Sequence, residues 1–426
     1  MLNRNQAPPY QTMRHLQIPR LQTHTLSNDI KVHTLNTGVQ EVFKMEVVFG
    51  AGSCYESVPG ISYFTVKMLA EGTHYRSALQ INEYIDGLGG FSEFNHGTER
   101  ISVALFGLSR HLPAFFELLR EILLEPSFPE QELVQIKKLA QQNLAINLEK
   151  NAFLASKKFR ELIFGENHPY ARHLSQPLID QTQRANIAQH YNTHIFQQPF
   201  DLILVGSFAE NDLRQILLQL EQWPIAKNDA AASLDLASQP SAEKNFLLSR
   251  PDKLQSSLRL GCPLFSKSHP DYLGLSLLNE IFGGYYGSRL MKNIREQKGY
   301  TYGIYANLAA LRRGGYWIIG TDVKKEFTAQ TLQEIHYEAR KLRDEKIGQD
   351  ELQTVRNYMM GSLAGSLNTP FELAEIFKSV YFHDLGYEFY DHYIEAIHQL
   401  SPAQLQAIAQ EYLLSEDFWE VVVGEK

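Results

Sequence analysis

Cysteine is scarce in this sequence. Its 426 residues include only Cys54 and Cys262, and two cysteines cannot form the disulfide framework that stabilises small secreted domains. We therefore expect both thiols to be reduced. Each follows a strand-like stretch at a similar place in its half of the chain, which suits a small buried hydrophobic side chain better than a chemical role.

Long apolar stretches are also absent. No run is long enough for a transmembrane helix, and residues 1–10 contain neither the apolar core nor the small-residue cleavage site of a signal peptide. From this pattern we expect a cytoplasmic protein without a membrane partner.

Positive charge is outnumbered by negative charge. The chain has 40 Lys and Arg against 48 Asp and Glu, a formal net charge of -8, and neither sign forms a long run. Nucleic acids and anionic membranes are bound through basic patches that release counterions. The balance therefore argues against both kinds of partner.

What the sequence does contain is one order of elements that occurs twice. In the first half, a strand, two helices, two strands, a long helical stretch and a closing strand are predicted at residues 43–49, 60–73, 77–88, 91–95, 101–108, 109–195 and 201–206. In the second half, the same order recurs at residues 257–262, 270–297, 302–308, 315–321 and 419–424. A period of half the chain predicts two homologous domains rather than a solenoid.

The predicted fold is α+β, with two homologous domains that each consist of a mixed or antiparallel sheet covered by helices and that face each other as a clamshell. Residues 223–244 are mostly small, polar and aperiodic, which is typical of a linker. We therefore place the domains at residues 1–222 and 245–426.

The first predicted helix carries the most informative motif, Gly60-Ile-Ser-Tyr-Phe-Thr-Val-Lys-Met-Leu-Ala-Glu-Gly-Thr73. Its frame resembles the signature segment of the pitrilysin/insulinase family of zinc metallopeptidases, which contains an HxxEH box. There, two imidazoles at i and i+4 bind Zn²⁺, and the glutamate polarises the attacking water. In this chain the box positions are Tyr63, Val66 and Lys67, none of which supplies that chemistry, so we predict a metal-free helix.

The family's third zinc ligand is a glutamate in a later long helix. The resemblance places that position near Gln142 or Asn143, and neither residue is a carboxylate. The resemblance therefore implies that this chain holds no metal and no other cofactor.

A second segment, Phe282-Gly-Gly-Tyr-Tyr-Gly-Ser-Arg-Leu-Met-Lys-Asn-Ile-Arg-Glu-Gln-Lys-Gly-Tyr-Thr-Tyr-Gly303, is similar to the family's other signature. With it, the resemblance covers roughly residues 25–426. The family's arginine and tyrosine that reach the substrate at the zinc correspond to Arg295 and Tyr302. We expect Arg295 in the last turn of a helix that ends at Gly299, and Tyr302 at the start of the next strand.

A zinc box without ligands, together with a retained arginine and tyrosine, resembles the zinc-less subunit of family members that work as pairs. The implied function is a non-catalytic subunit of a heteromeric zinc endopeptidase, which binds peptide and contributes Arg295 and Tyr302 to an active site whose zinc is held by a paralogous partner. The alternative is an inert peptide-binding or structural scaffold. A lone zinc peptidase with unrecognised ligands is the least favoured reading.

Each of these residues also has a plainer interpretation. Arg295 alone is typical of a solvated helix terminus, and Tyr302 of a packed strand. His190 and His194 have the spacing of a metal-binding pair but no evident third ligand. Residues 95–98 follow a strand that forms a peptide-binding edge in the family, although an ordinary hairpin turn fits equally well.

Overall fold

The computed structural model describes residues 13, 16–38, 40–226, 236 and 238–426. Grouped by proximity, the chain forms two compact units, one made of Arg20–Leu260 with Trp419–Glu425 and the other mainly of Gly261–Phe418. The domain boundaries at 222 and 245 therefore remain a prediction from the sequence.

The predicted linker is only partly within the described residues, because 227–235 and 237 lie outside them. The described residues at its C-terminal end form backbone hydrogen bonds with the helical region that precedes the linker. The amides of Gln239 and Ser241 donate to the carbonyls of Phe164 and Leu162 at 2.8 and 2.7 Å. This part of the linker is therefore bound to the protein surface along its backbone.

The first sheet has six strands: β1 Gln22–Thr25, β2 Lys31–Asn36, β3 Val42–Phe49, β4 Phe91–His96, β5 Ile101–Leu108 and β6 Asp201–Gly206. Their order across the sheet is β1-β2-β6-β3-β5-β4, with β2 and β6 parallel and the other pairs antiparallel. Strand β3 lies inside the sheet and is buried over most of its length. Strand β4 forms one edge.

Eight helices accompany this sheet: α1 Ile61–Met68, α2 Ala78–Gly87, α3 Leu112–Leu124, α4 Glu130–Leu148, α5 Asn151–Phe164, α6 Gln176–Gln181, α7 Arg184–His194 and α8 Glu210–Glu221. The hydrophobic core lies between the sheet and these helices, and it includes Phe43, Phe64 and Phe115. The short helix α1 contributes most of its side chains to that core because six of its eight residues are buried.

The second sheet has five strands: β7 Asn245–Ser249, β8 Gln255–Leu264, β9 Thr301–Leu311, β10 Gly314–Lys324 and β11 Trp419–Gly424. Their order is β7-β11-β8-β10-β9. This order reproduces the β2-β6-β3-β5-β4 portion of the first sheet, including a parallel pair at the same place. The topology confirms the repeat that the sequence predicts.

The helices of the second half are α9 Tyr272–Asn279, α10 Thr328–Asp344, α11 Gln349–Gly365, α12 Pro370–Tyr381, α13 Glu388–Gln399 and α14 Pro402–Tyr412. Two further segments, Glu280–Gly284 and Met291–Gln297, are π-helical. This conformation is rare and occurs often at functional sites. Both segments lie in the second signature and flank its glycine-rich turn.

Candidate functional site

The helix with the degenerate zinc box, α1, begins at a glycine that the backbone requires. Gly60 has φ of 90°, and a Cβ on it would lie 2.6 Å from a side-chain carbon of Leu174. Both the left-handed conformation and the close packing favour glycine. The glycine of the family signature therefore has a local structural reason to persist without zinc.

A buried carboxylate caps this helix, which the sequence analysis missed. Glu56 Oε2 accepts from the Gly60 amide at 2.8 Å, and Oε1 accepts from the Ser62 amide at 2.9 Å and from the Ser62 hydroxyl. These bonds satisfy amides at the first turn that have no partner within the helix. Burial nevertheless raises the pKa of Glu56. A carboxylate four residues before the glycine is the local signal for this cap.

The cap extends to the edge strand through a histidine. The Ser62 hydroxyl lies 2.7 Å from His96 Nε2, and because its proton goes to Glu56, the imidazole must donate. Although part of the ring reaches solvent, desolvation and the nearby Lys67 lower the pKa of His96 to about 4. The ring is therefore neutral at pH 7. Ser62 itself is fully buried, so this group of residues is structural and not a nucleophile site.

The three box positions each have a structural contact in place of a ligand role. Val66 is fully buried in the core. Lys67 Nζ donates to the Phe94 carbonyl of β4 at 3.3 Å. The ring of Tyr63 packs edge-on against His96, with centroids 5.9 Å apart, and burial raises the pKa of its phenol. A tyrosine that stays protonated, a valine and an ammonium do not form a zinc site.

The helix that carries the third ligand in the family faces the same region. Asn143 and Asn147 of α4 line a cleft of about 390 Å³ with Tyr63 and His96, and we call this the box cleft. Gln142 is exposed and does not line it. Asn143 therefore lies at the cleft and Gln142 does not, while the position that corresponds to the family's third ligand stays a prediction. Among the described residues, no three His, Cys, Asp or Glu side chains are grouped so that they could hold a metal ion.

The pair His190 and His194 has a structural environment. His190 Nε2 lies 3.1 Å from the Ala51 carbonyl, to which it donates, and its ring is 4.7 Å from that of His194. Burial lowers the pKa of His190 to about 4, and His194 adds to this effect. The neutral imidazole of His190 anchors α7 beside β3. This structural role accounts for the His190 and His194 pair without a metal ion.

Arg295 lies in the π-helical segment Met291–Gln297, within the second signature. The Gly299 amide donates to the Arg295 carbonyl at 3.2 Å, and Gly299 has φ of 66°, so the helical segment ends at this glycine. The Arg295 guanidinium lies 4.8 Å from the ring centre of Tyr286 in the glycine-rich turn. Among the described residues, no acceptor forms a hydrogen bond with its N–H groups.

Tyr302 is the second residue of β9, where it lies in a β-bulge. Thr301 pairs with Val323 and Ile304 with Thr321, so β9 has one more residue than β10 in this interval. Bulges of this kind redirect a side chain and occur often beside active sites. Tyr302 is 89% exposed, and its hydroxyl makes no hydrogen bond within the described part of the chain. The interpretation of Tyr302 as a packed strand aromatic is therefore wrong.

The strands β4 and β9 occupy equivalent edges of the two sheets. Residues 97–100 form the turn that joins β4 to β5, with the Gly97 amide donating to the Arg100 carbonyl at 2.9 Å. Residues 95–98 thus run from the end of an edge strand into a hairpin turn, and peptide binding at this edge stays a prediction.

Two family models match the chain in succession. Residues 31–178 match the model described as insulinase, peptidase family M16, and residues 182–359 match the model described as the peptidase M16 inactive domain. The chain belongs to the M16 family of peptidases. Its two M16 signatures are residues 60–73, which lack zinc ligands, and residues 282–303, which contain Arg295 and Tyr302.

Similar proteins agree with this assignment. An uncharacterized zinc protease of Bacillus subtilis, YmxG, is 24% identical over 360 residues, which are 82% of this chain and 85% of that protein. A peptidase M16 inactive domain from Pseudomonas fluorescens superposes with a TM-score of 0.86 at 24% identity, over 95% of this chain and 98% of that one. A protease from Helicobacter pylori gives a TM-score of 0.87 at 16% identity, over 96% and 100%. These structures share the M16 fold.

Two further features bear on the setting of the protein. Both cysteines are buried, and neither forms a disulfide bond within the described residues. Within the described residues, none of the helices combines the length and the apolar character that crossing a bilayer requires.

Proposed function

We propose that this chain is the zinc-less subunit of a heteromeric M16 endopeptidase, which binds peptide and contributes Arg295 and Tyr302 to the active site of a zinc-bearing paralogue. The observation that carries the proposal is the exposure of Tyr302 on a bulge. A large aromatic side chain with no packing role and no hydrogen-bond partner is typical of a binding or catalytic surface.

The two side chains have suitable chemistry for peptide hydrolysis. The Arg295 guanidinium has only donors, and its stacking on Tyr286 fixes its position. It can hold carbonyl oxygens of the substrate backbone. The Tyr302 phenol can donate a hydrogen bond to the oxyanion that develops during attack. The partner would supply the zinc, which polarises the carbonyl and activates water.

The degenerate box supports a division of roles in which the partner holds the zinc and this chain does not. Val66 is built into the core and Lys67 bonds to β4, so α1 now serves packing. Two reduced, buried thiols suit the cytoplasm, which we propose as the location.

Reconstitution tests the proposal. The purified chain should show no peptidase activity, and a mixture with an M16 paralogue that retains HxxEH should cleave unfolded peptides. Arg295→Ala should lower the activity of the mixture at least tenfold while the pair still forms. Lys292→Ala changes an exposed cation of the same helical segment and serves as the control. Full activity with Arg295→Ala would refute the proposed role.

The second candidate is an inert peptide-binding or structural scaffold. The open edge of β4 beside the box cleft favours it, because strand addition to an edge needs no catalytic group. A chain that binds unfolded peptide but no HxxEH paralogue in a pull-down experiment would support this candidate over the first.

A further inference from the structure

The box cleft has a charge pattern opposite to that of a zinc site. Two guanidinium groups, from Arg160 and Arg172, line it together with amides of α4. Among the described residues, Glu56 is the only carboxylate in its lining, and its two oxygens accept the three bonds that cap α1. Because two cations repel a dication, the present lining favours an anionic group.

Arg172 keeps most of its hydrogen-bonding capacity. Its Nη1 makes one long bond of 3.4 Å, to the Glu56 carbonyl, and no other hydrogen bond within the described residues. A guanidinium has five N–H donors in a planar fork that matches the two oxygens of a carboxylate. The Asn143 side chain, at an exposed position of α4, adds an amide donor.

His173 also lines the cleft, beside Arg160. Arg160 Nη2 lies 3.2 Å from His173 Nδ1, and since a guanidinium only donates, Nδ1 must accept. Burial and the charge of Arg160 lower the pKa of His173 to about 4, so the ring is neutral at pH 7 and carries its proton on Nε2. That buried nitrogen has no hydrogen-bond partner among the described residues. Because that nitrogen is buried, the donors that a ligand in the cleft can reach are those of Arg172 and Asn143.

The cleft also adjoins the open edge of the first sheet. His96, Gly97 and Thr98, at the end of β4 and in its turn, line it. An extended peptide that pairs with the outer edge of β4 would run alongside this cleft, since β4 has a neighbouring strand on one side only in the part of the chain that the structure describes.

We propose that the box cleft binds a carboxylate group of an extended peptide paired with β4, with Arg172 as the principal ligand and Asn143 as a supporting donor. The carboxylate belongs either to the C-terminus of the peptide or to an Asp or Glu side chain. This inference rests on the peptide-binding part of the proposed function. It names acidic or C-terminal segments as the preferred substrate class.

The test measures peptide binding to the full chain alone, by fluorescence anisotropy. The probes are four labelled peptides of one extended sequence, which have either a free or an amidated C-terminus and either Glu or Gln at one internal position. Arg172→Ala removes the principal ligand. Asn143→Asp places a negative charge in the cleft at an exposed helix position, where it should not disturb folding. Arg214→Ala removes an exposed arginine of α8 outside the cleft lining and is the matched control.

The free C-terminus, the Glu side chain or both should tighten binding about tenfold, as expected for one charge-assisted hydrogen-bonded pair. Arg172→Ala and Asn143→Asp should remove that difference, whereas Arg214→Ala should preserve it. Added salt should weaken it. If the free C-terminus tightens binding, the bound carboxylate is that of the C-terminus. If Glu tightens binding, the bound carboxylate is that of the side chain.

Equal binding of all four peptides, binding of none of them, or an undiminished difference in both cleft variants would overturn the inference. Because the assay contains no partner subunit, these outcomes are independent of the reconstitution test with Arg295→Ala. Loss of carboxylate selectivity and loss of the partner's activity can thus be told apart.

Discussion

At the scale of single residues, the former zinc box has become part of the scaffold. Val66 packs in the core, Lys67 bonds to the backbone of β4, and Tyr63 packs against His96. By contrast, Arg295 and Tyr302 make little contact that would stabilise the fold. The chain therefore separates residues that maintain structure from residues that are available to a ligand.

Restoring the box glutamate should destabilise the protein. Val66→Glu would bury a carboxyl in an apolar core, and the free energy of unfolding should fall by about 3 kcal/mol or more. Urea denaturation measures this change. The control is Leu139→Glu on α4, where the side chain is 58% exposed and the expected change is below about 0.5 kcal/mol. Similar effects of the two substitutions would show that Val66 is not held in a core.

Neutral buried histidines should make stability depend on pH. The pKa values of His173 and His190 are about 4 in the folded state, below the ordinary value of about 6.5 in the unfolded chain. Between these values the unfolded chain binds more protons, so stability is complete above pH 6.5 and declines as the pH falls towards 4. The ceiling is about 1.4 kcal/mol per histidine per pH unit.

Thermal unfolding between pH 7 and pH 4.5 tests this expectation. The midpoint temperature should fall with pH, and His190→Gln, which has no titrating ring, should show a smaller decrease. A flat profile, or the same decrease in the variant, would mean that His190 is protonated in the folded protein.

At the scale of elements, local signals predicted more than long-range ones. Ser77 followed three residues later by Gln80 is a local pattern that indicates a capping box, and both of its bonds are present at the start of α2. Strand β2 was not expected, because it contains the polar His33 and Thr34. Both are buried, and His33 bonds to Asp201 at 2.9 Å, a partner too distant in sequence to be recognised.

At the candidate site, too, local sequence patterns predict less about contacts between distant residues. The resemblance of the second signature placed Arg295 at the end of a helical segment and Tyr302 at the start of β9, as the structure has them. The bulge at Tyr302 depends on the register between β9 and β10. The positive box cleft depends on Arg160 and Arg172, which the fold brings to α1 from about a hundred residues away. Neither feature follows from a local pattern.

The cap of α1 can be tested as an element. Glu56→Ala would leave the buried Ser62 amide without its acceptor, and the free energy of unfolding should fall by about 1–2 kcal/mol. Glu130→Ala, at the exposed first turn of α4, should cost only a few tenths of a kcal/mol. Chemical denaturation of both variants measures the difference. Equal stability would mean that solvent replaces Glu56 at no cost.

At the scale of the whole molecule, the two sheets repeat one topology, but the two signatures of the M16 family differ in what they retain. The signature in the first half has lost all its zinc chemistry, while the signature in the second half retains Arg295 and Tyr302, whose side chains form no hydrogen bond among the described residues. We therefore expect a protein that is inactive alone and that completes the active site of another subunit.

The most direct measurement is the kinetics of Tyr302→Phe in the reconstituted pair. Loss of one donor to the developing oxyanion should lower kcat about a hundredfold while KM changes little, and the stability of the chain should stay within about 0.5 kcal/mol, because the side chain is exposed. Unchanged kcat in a pair that forms normally would contradict the claim that this chain contributes to catalysis.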